Sequence, residues 1–394
     1  MKKSLFALAA IGAFAGGVQA QSSSVTLYGV MDVSAVQGSD KLTASGGTTT
    51  TVNQRSTGAG KDGLASSRIG IRGTEDLGGG LTASFVWEQG IVSVATGGTG
   101  SGQASTSAAD ASTTTAPAGA FTDPRQAYVG LASKTWGELR LGRQATSTHN
   151  VIGAYSAGGA NNNAGALYSA GGSVANNSNV RMYEVYVNRA IQYSTPRING
   201  AQVTVQTANQ SAVTETTTSA ITNTSSTGIN ASYVVGKLSA GVGYEMKDLN
   251  SVTADVKQAM ISFGASYDFG VAILMGEYLS FNSKTPTAML GKTQVYELGV
   301  RAPLSKTLDV WASALKGSKT GGDGYSSSTT LVRSLTAIQG QGDISGFQLG
   351  AKYNLSKRSS LYAIGGTQQI KGTALTSASK TETTQVALGI NHTF

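Results

Sequence analysis

Lys257-Gln258-Ala259-Met260-Ile261-Ser262-Phe263-Gly264-Ala265-Ser266-Tyr267-Asp268 is the stretch that decides the fold. Ala259, Ile261, Phe263, Ala265 and Tyr267 fall on one face, and Gln258, Ser262, Gly264, Ser266 and Asp268 on the other. That is the period of a strand and not of a helix. The same alternation returns before and after it. Leu238, Ala240, Val242 and Tyr244 oppose Ser239, Gly241, Gly243 and Glu245; Tyr296, Leu298 and Val300 oppose Glu297, Gly299 and Arg301; Phe347, Leu349, Ala351 and Tyr353 oppose Gln348, Gly350 and Lys352. In these strands the apolar face carries no charge.

Composition narrows the solvent in which such strands sit. The 394 residues include 13% charged side chains, 52 glycines, 5 prolines and no cysteine. A soluble domain usually carries about 25% charged residues. Two histidines and no cysteine leave no set of soft ligands for structural zinc, iron-sulfur or thiol chemistry. The first twenty residues, with Lys2 and Lys3, an apolar run from Leu5 to Ala15 and a Val18-Gln19-Ala20 end, read as a secretory signal, so the expected mature chain is 21–394. Without the two leader lysines the balance is 27 basic to 21 acidic residues, a net of +6. An exported chain without Lys/Arg runs is not expected to meet nucleic acid.

A soluble sandwich would alternate in the same way, so the connections decide. Short turns read at Asp76 to Gly79, Lys134 to Gly137, Ile198 to Gly200, Val235 to Lys237, Asp268 to Gly270, Ala302 to Lys306 and Asn354 to Arg358. Long polar loops are expected near 38–63, 91–123, 145–187, 210–227 and 319–341. Strands of about ten residues joined alternately by short turns and long loops number about sixteen, the grammar of an outer-membrane barrel. Closure pairs every backbone group, as hydrocarbon demands. At that strand number side chains do not fill the interior, which explains a polar second face.

Three motifs then carry a family resemblance. Ser67-Arg68-Ile69-Gly70-Ile71-Arg72-Gly73-Thr74-Glu75-Asp76-Leu77-Gly78-Gly79-Gly80-Leu81, Arg125-Gln126-Ala127-Tyr128-Val129-Gly130-Leu131 and Gly142-Arg143-Gln144 resemble the Gram-negative trimeric porins, particularly those of β-proteobacteria. The opening Val25-Thr26-Leu27-Tyr28-Gly29-Val30-Met31-Asp32 and the closing Leu388 to Phe394, with its terminal aromatic, resemble the family's first and last strands. The resemblance implies an all-β, 16-stranded antiparallel transmembrane β-barrel, a homotrimer, and a third extracellular loop folded inward to form a constriction. It implies an outer-membrane setting among lipid and lipopolysaccharide, passage of small hydrophilic solutes and anions, and no cofactor.

Charge placement nominates the pore lining. An Arg or Lys on the lipid face at mid-membrane costs about 2–4 kcal/mol. Arg68 and Arg72 share a face opposite Ile69 and Ile71, and Arg140 alternates with Leu139 and Leu141, so all three are expected inward. Arg125 has the parity of Ala127, Val129 and Leu131, which hydrophobicity alone sends outward; the arginine penalty, the resemblance and Tyr128 on the other face argue inward. From Leu139 to Tyr183 there is no Asp or Glu, although Arg140, Arg143 and Arg181 are present. Glu88 and Glu184 are the expected wall acids. Gln192 takes an inward place where related sequences often have arginine, and Arg181 or Arg189 is left to restore a third cationic rung. Arg143, with outward parity near a strand end, is assigned to the subunit interface. The expected function is a mildly anion-favouring diffusion channel. A substrate-specific channel with a saturable site is the alternative, and a surface adhesin or structural barrel a weaker one. His149 and His392 stand apart, and no G-x-S-x-G or H-E-x-x-H motif is present, so the reading is not an enzyme. Tyr267, Tyr353 and Phe394 at strand ends read as an aromatic girdle.

Overall fold

The computed structural model describes residues 23–43, 47–59, 63–91, 123–159, 161, 163–167, 185–209, 223–250, 255–321, 342–372 and 380–394. The expected signal segment lies outside them. Among the described residues seventeen strand segments and one helix follow one another, and the strand pairings are antiparallel. β1 (Ser23–Thr43) is the longest and meets three partners. β2 (Thr49–Ala59) pairs with its Val33–Thr43 half, and β3 (Arg68–Gly78) with its Ser23–Val30 half. β2 and β3 are therefore two halves of one interrupted strand, and the ring has sixteen strand positions.

The ring continues through β4 (Leu81–Gly90), β5 (Asp123–Ser133), β6 (Gly137–Ala145), β7 (Tyr186–Ser194), β8 (Ala201–Asn209) and β9 (Asn223–Val235). It returns through β10 (Leu238–Asn250), β11 (Asp255–Asp268), β12 (Ile273–Lys284), β13 (Met289–Pro303), β14 (Leu308–Gly321), β15 (Gly342–Asn354), β16 (Ser359–Gly372) and β17 (Lys380–Thr393). β17 closes on β1 from Val30↔Thr393 to Thr43↔Lys380, and Gly29 and Phe394 exchange both backbone hydrogen bonds at 3.1 Å. The seam thus begins at Gly29. Among the described residues no helix is long and apolar enough to cross a membrane.

All seven short turns fall where the sequence places them, on one rim. Several need a left-handed backbone, as at Asn199 (φ 49°) and Gly200 (φ 86°). The other rim departs from expectation at its first connection: 38–63 is mostly strand, because β1 runs on to Thr43 and the β-branched run Thr49-Thr50-Thr51 pairs back against it. The loops expected near 91–123, 210–227 and 319–341 are trimmed by strand at Asp123, Asn223 and Gly321, and their central residues lie outside the described set. The 145–187 connection carries helix α1 (Ser147–Tyr155), nucleated where the Thr146 hydroxyl accepts from the His149 backbone at 3.1 Å.

Alternation sorts the two faces. Leu298 and Leu388 stand 60% and 57% exposed on the outside of the isolated chain, with Val386 and Ile390 beside them. That apolar band is what a barrel presents to lipid. Tyr267, Tyr353 and Phe394 are exposed near the short-turn rim, where an aromatic girdle belongs. Buried apolar side chains lie inside instead, where α1 and the residues after it pack on the wall: Ile152 and Leu167 join Met260, Leu279, Phe281, Val295 and Leu315 in one cluster.

Candidate functional site

One side of the lumen is built by β3 to β6. Tyr28 pairs with Gly70, Gly70 with Glu88, and Glu88 with Gln126, so the even-numbered residues of β1, β3 and β4 share the inner face. This brings Arg68 and Arg72 inward, opposite the exposed Ile71. Arg140 pairs with Gly130 and lies on the same face, between the exposed Leu139 and Leu141.

Arg125 reaches that face through an irregularity of the sheet. Gln126 lies opposite Glu88 and Pro124 opposite Gln89, so Arg125 is the extra residue of a β-bulge. The bulge lets Ala127, Val129 and Leu131 stay outside while the arginine turns in. Its Nε donates to Glu88 Oε1 at 2.5 Å.

Glu88 is the hub. It is 5% exposed, stands 3.5 Å from Arg68 Nε and accepts from Tyr28 Oη at 3.1 Å in addition to Arg125. Two guanidiniums therefore share one carboxylate. Arg140 has its own partner, Glu138 Oε2 at 2.8 Å. Three of the four wall arginines also lie over a tyrosine: Arg72 over Tyr28 at 5.3 Å, Arg140 over Tyr128 at 4.8 Å and Arg125 over Tyr186 at 5.3 Å. Such cation–π stacking, worth about 0.5–2 kcal/mol each, holds long side chains in one orientation. Glu138 and the three tyrosines were not nominated from sequence. Glu138 carried a readable signal, since on a strand a residue two places before Arg140 must share its face.

Gln192 is 6% exposed and lies directly opposite Arg140, and its Oε1 accepts from Gln206 Nε2 at 3.1 Å. The position is therefore a neutral amide pair. Arg189 does not join the row. It sits in a bulge where Gly142 pairs with Ala190 but Gln144 with Val187, has φ 51° and is exposed. Arg143 has outward parity; its guanidinium donates to Pro124 O at 3.0 Å and Asn188 Oδ1 at 2.7 Å and lies 5.3 Å from the Tyr186 ring centre. Arg181 and Glu184 lie outside the described residues.

The other side is lined by the third long connection, folded into the barrel. α1 packs along β9 to β12 with Ser147, Thr148, Val151, Ile152 and Tyr155 buried. Glycines on the strand interiors make room for it: a Cβ on Gly264 would collide with the Tyr155 ring, whose hydroxyl bonds Ser239 Oγ at 3.0 Å. The chain then runs on across β13 to β17. Glu297 accepts from Ser156 Oγ at 3.0 Å and from the Leu167 backbone at 2.7 Å. Gln348 exchanges two hydrogen bonds with Asn161, at 2.9 and 3.0 Å, and Gln385 accepts from the Ala164 backbone at 2.9 Å. His149 belongs to this helix, with its ring 6.2 Å from that of Tyr186. His392 is remote from it, bonded to Ser359. No group of three or more His, Cys, Asp or Glu able to hold a metal occurs among the described residues.

Within one ring, a cationic, aromatic-backed wall thus lies on one side of the lumen and a neutral inward connection on the other. Known proteins share its frame. An outer membrane porin protein of Bordetella pertussis is 29% identical over all of both chains, and outer membrane porin protein 32 of Delftia acidovorans is 31% identical over 92% of this chain and 88% of its own. The anion-selective porin from Comamonas acidovorans superposes with a TM-score of 0.65 at 25% identity, covering 95% of this chain and all of that one. Residues 7–373 match the Gram-negative porin family model, and the chain belongs to that family of outer-membrane channels.

Proposed function

We propose that this porin passes small hydrophilic solutes and ions passively through a mildly anion-favouring eyelet, as a homotrimer in lipid and lipopolysaccharide. The observation that carries the anion preference is the charge count on one wall. Arg68, Arg72, Arg125 and Arg140 face two carboxylates, Glu88 and Glu138, while residues 139–183 add no acid. The excess of two positive charges favours anions by field alone, as charged rings do in channels generally. A structural relative described as anion-selective supports the sign. Arg143 supports the trimer: an outward arginine is costly against hydrocarbon but acceptable in a protein contact, and its hydrogen bonds to Pro124 and Asn188 already satisfy part of it. The expected 1–20 signal segment is consistent with export to this membrane.

The test is a reversal potential in a potassium chloride gradient across a planar bilayer. The expected sign is that of chloride, fading as salt rises. A cation-selective wild type would overturn the reading. Conductance that saturates with one solute would instead favour a substrate-specific channel.

A further inference from the structure

The break between β2 and β3 is not an idle connection. Residues 63–67 lie inside the barrel, and each end is tied to a different side of the eyelet. At one end the Gly63 carbonyl accepts from Asn163 Nδ2 of the inward loop at 3.1 Å. At the other the Ser66 carbonyl accepts from the Arg68 guanidinium at 3.0 Å, the same guanidinium that stands beside Glu88. The Ser67 carbonyl is also used, accepting from the Ile91 backbone at 2.8 Å.

Asp32 of β1 holds the middle. It is 1% exposed, and its carboxylate accepts from the Ala65 backbone at 3.1 Å, from Asn391 Nδ2 of β17 at 2.8 Å and from the Tyr362 hydroxyl of β16. Its own backbone N–H and C=O both bond the Ser67 hydroxyl, each at 2.9 Å. Gly63 passes so close that a Cβ there would overlap the Asp32 carboxylate and the Tyr362 hydroxyl. Ala65 N–H, Asn391 Nδ2 and the Tyr362 hydroxyl are neutral donors, and one carboxylate collecting such donors fixes the backbone that passes over it.

We propose that residues 63–67, clamped by Asp32, are an internal strut that fixes the inward loop relative to the arginine wall, making Asp32 and Asn163 positioning residues for conduction. Neither needs to touch an ion. The strut acts through Gly63 on the loop and through Ser66 on Arg68. It rests on the reading of this wall and loop as the eyelet, but its signature, steadiness of the open channel, does not depend on which ion is preferred.

The experiment records single channels of the purified full-length protein in planar bilayers for wild type, Asn163→Ala, Asp32→Asn, the double variant and Asp40→Asn. Asp40 is the control: it is as buried as Asp32, on the same face of β1, and bonded by Thr383 Oγ1 at 2.6 Å, but it lies eight residues further along β1, opposite Val52 of β2. Asn163→Ala and Asp32→Asn should each raise the frequency of sub-conductance events about fivefold, the factor by which one lost hydrogen bond shifts a two-state population. The double variant should add little to either, since both cut one strut. Asp40→Asn should stay at the wild-type frequency, and Asn163→Ala should keep wild-type heat resistance of the trimer on gels. Quiet traces from Asn163→Ala, strict additivity, or equal noise from Asp40→Asn would overturn the strut. Should Asp32→Asn fail to assemble, Asn163→Ala alone carries the decision. A wild type that prefers cations would overturn the anion reading and leave this comparison intact.

Discussion

Replacing Arg68 and Arg125 together by glutamine should abolish the ion preference without closing the channel. The two share Glu88, so removing both leaves Arg72 and Arg140 against Glu88 and Glu138, a balance of zero where the wild type has an excess of two. At an approach of roughly 7 Å in water, one unit charge acts on a passing ion with about 0.6 kcal/mol, and a Debye length near 10 Å at 0.1 M halves that to about 0.3. Two charges favour an anion by about 0.6 kcal/mol and disfavour a cation equally. The permeability ratio is then about sevenfold at 0.1 M, and at 1 M, where the Debye length is about 3 Å, it falls to about 1.5-fold. The assay is the reversal potential across a potassium chloride gradient, at both ionic strengths, for wild type and the double variant. A double variant that keeps the wild-type ratio, or a wild-type ratio independent of salt, would refute the argument and move control of the pore away from this wall.

Glu88→Gln should act in the opposite direction, raising the anion ratio about threefold at 0.1 M because the excess becomes three charges; an unchanged reversal potential would show that Glu88 is structural only. Gly264→Val should lower single-channel conductance, since the new side chain must displace Tyr155 and with it α1 toward the pore axis; conductance at the wild-type level would show that the helix can yield elsewhere. A chain ending before Lys380 lacks β17 and exposes the edges of β1 and β16, so it should be absent from the outer membrane on immunoblots, and normal levels would contradict the closure described.

The sheet was legible because lipid enforces alternation. One face of every spanning strand must be apolar, and a slip of one residue would put charge into hydrocarbon. The short turns were legible for a local reason, the left-handed backbone that Asn and Gly tolerate. The hairpin of β1 and β2 was hidden because the sequence of 38–63 has few apolar residues and no apolar alternation, although the backbone still pairs. The arginines of the wall were found by the cost of placing them elsewhere. Their partners were harder. Glu138 could have been paired with Arg140 by period, but Tyr28, Tyr128 and Tyr186 are spread over β1, β5 and β7, and only ring closure and register bring them under guanidiniums. Glu297 and Gln348 looked like solvated lumen residues. They hold the inward loop, and that pairing spans 141 positions for Ser156 with Glu297 and 187 for Asn161 with Gln348, which no local pattern encodes.

The bulge at Arg125 has a consequence for how such a wall can change. It is a phase shifter: upstream of it the strand counts faces one way, and downstream another, with the slip absorbed by a single residue. Insertions and deletions before Asp123 can therefore accumulate without being transmitted to the outer face of Ala127, Val129 and Leu131. Loss of one residue between Asp123 and Gln126 would be different in kind. The strand would have to choose between keeping its oily surface and keeping its inward cation, because the same chain direction could no longer serve both. Length variation on this side of the pore is thus free up to the slip and forbidden at it, and the arginine-bearing wall is insulated from the evolution of the loop that precedes it.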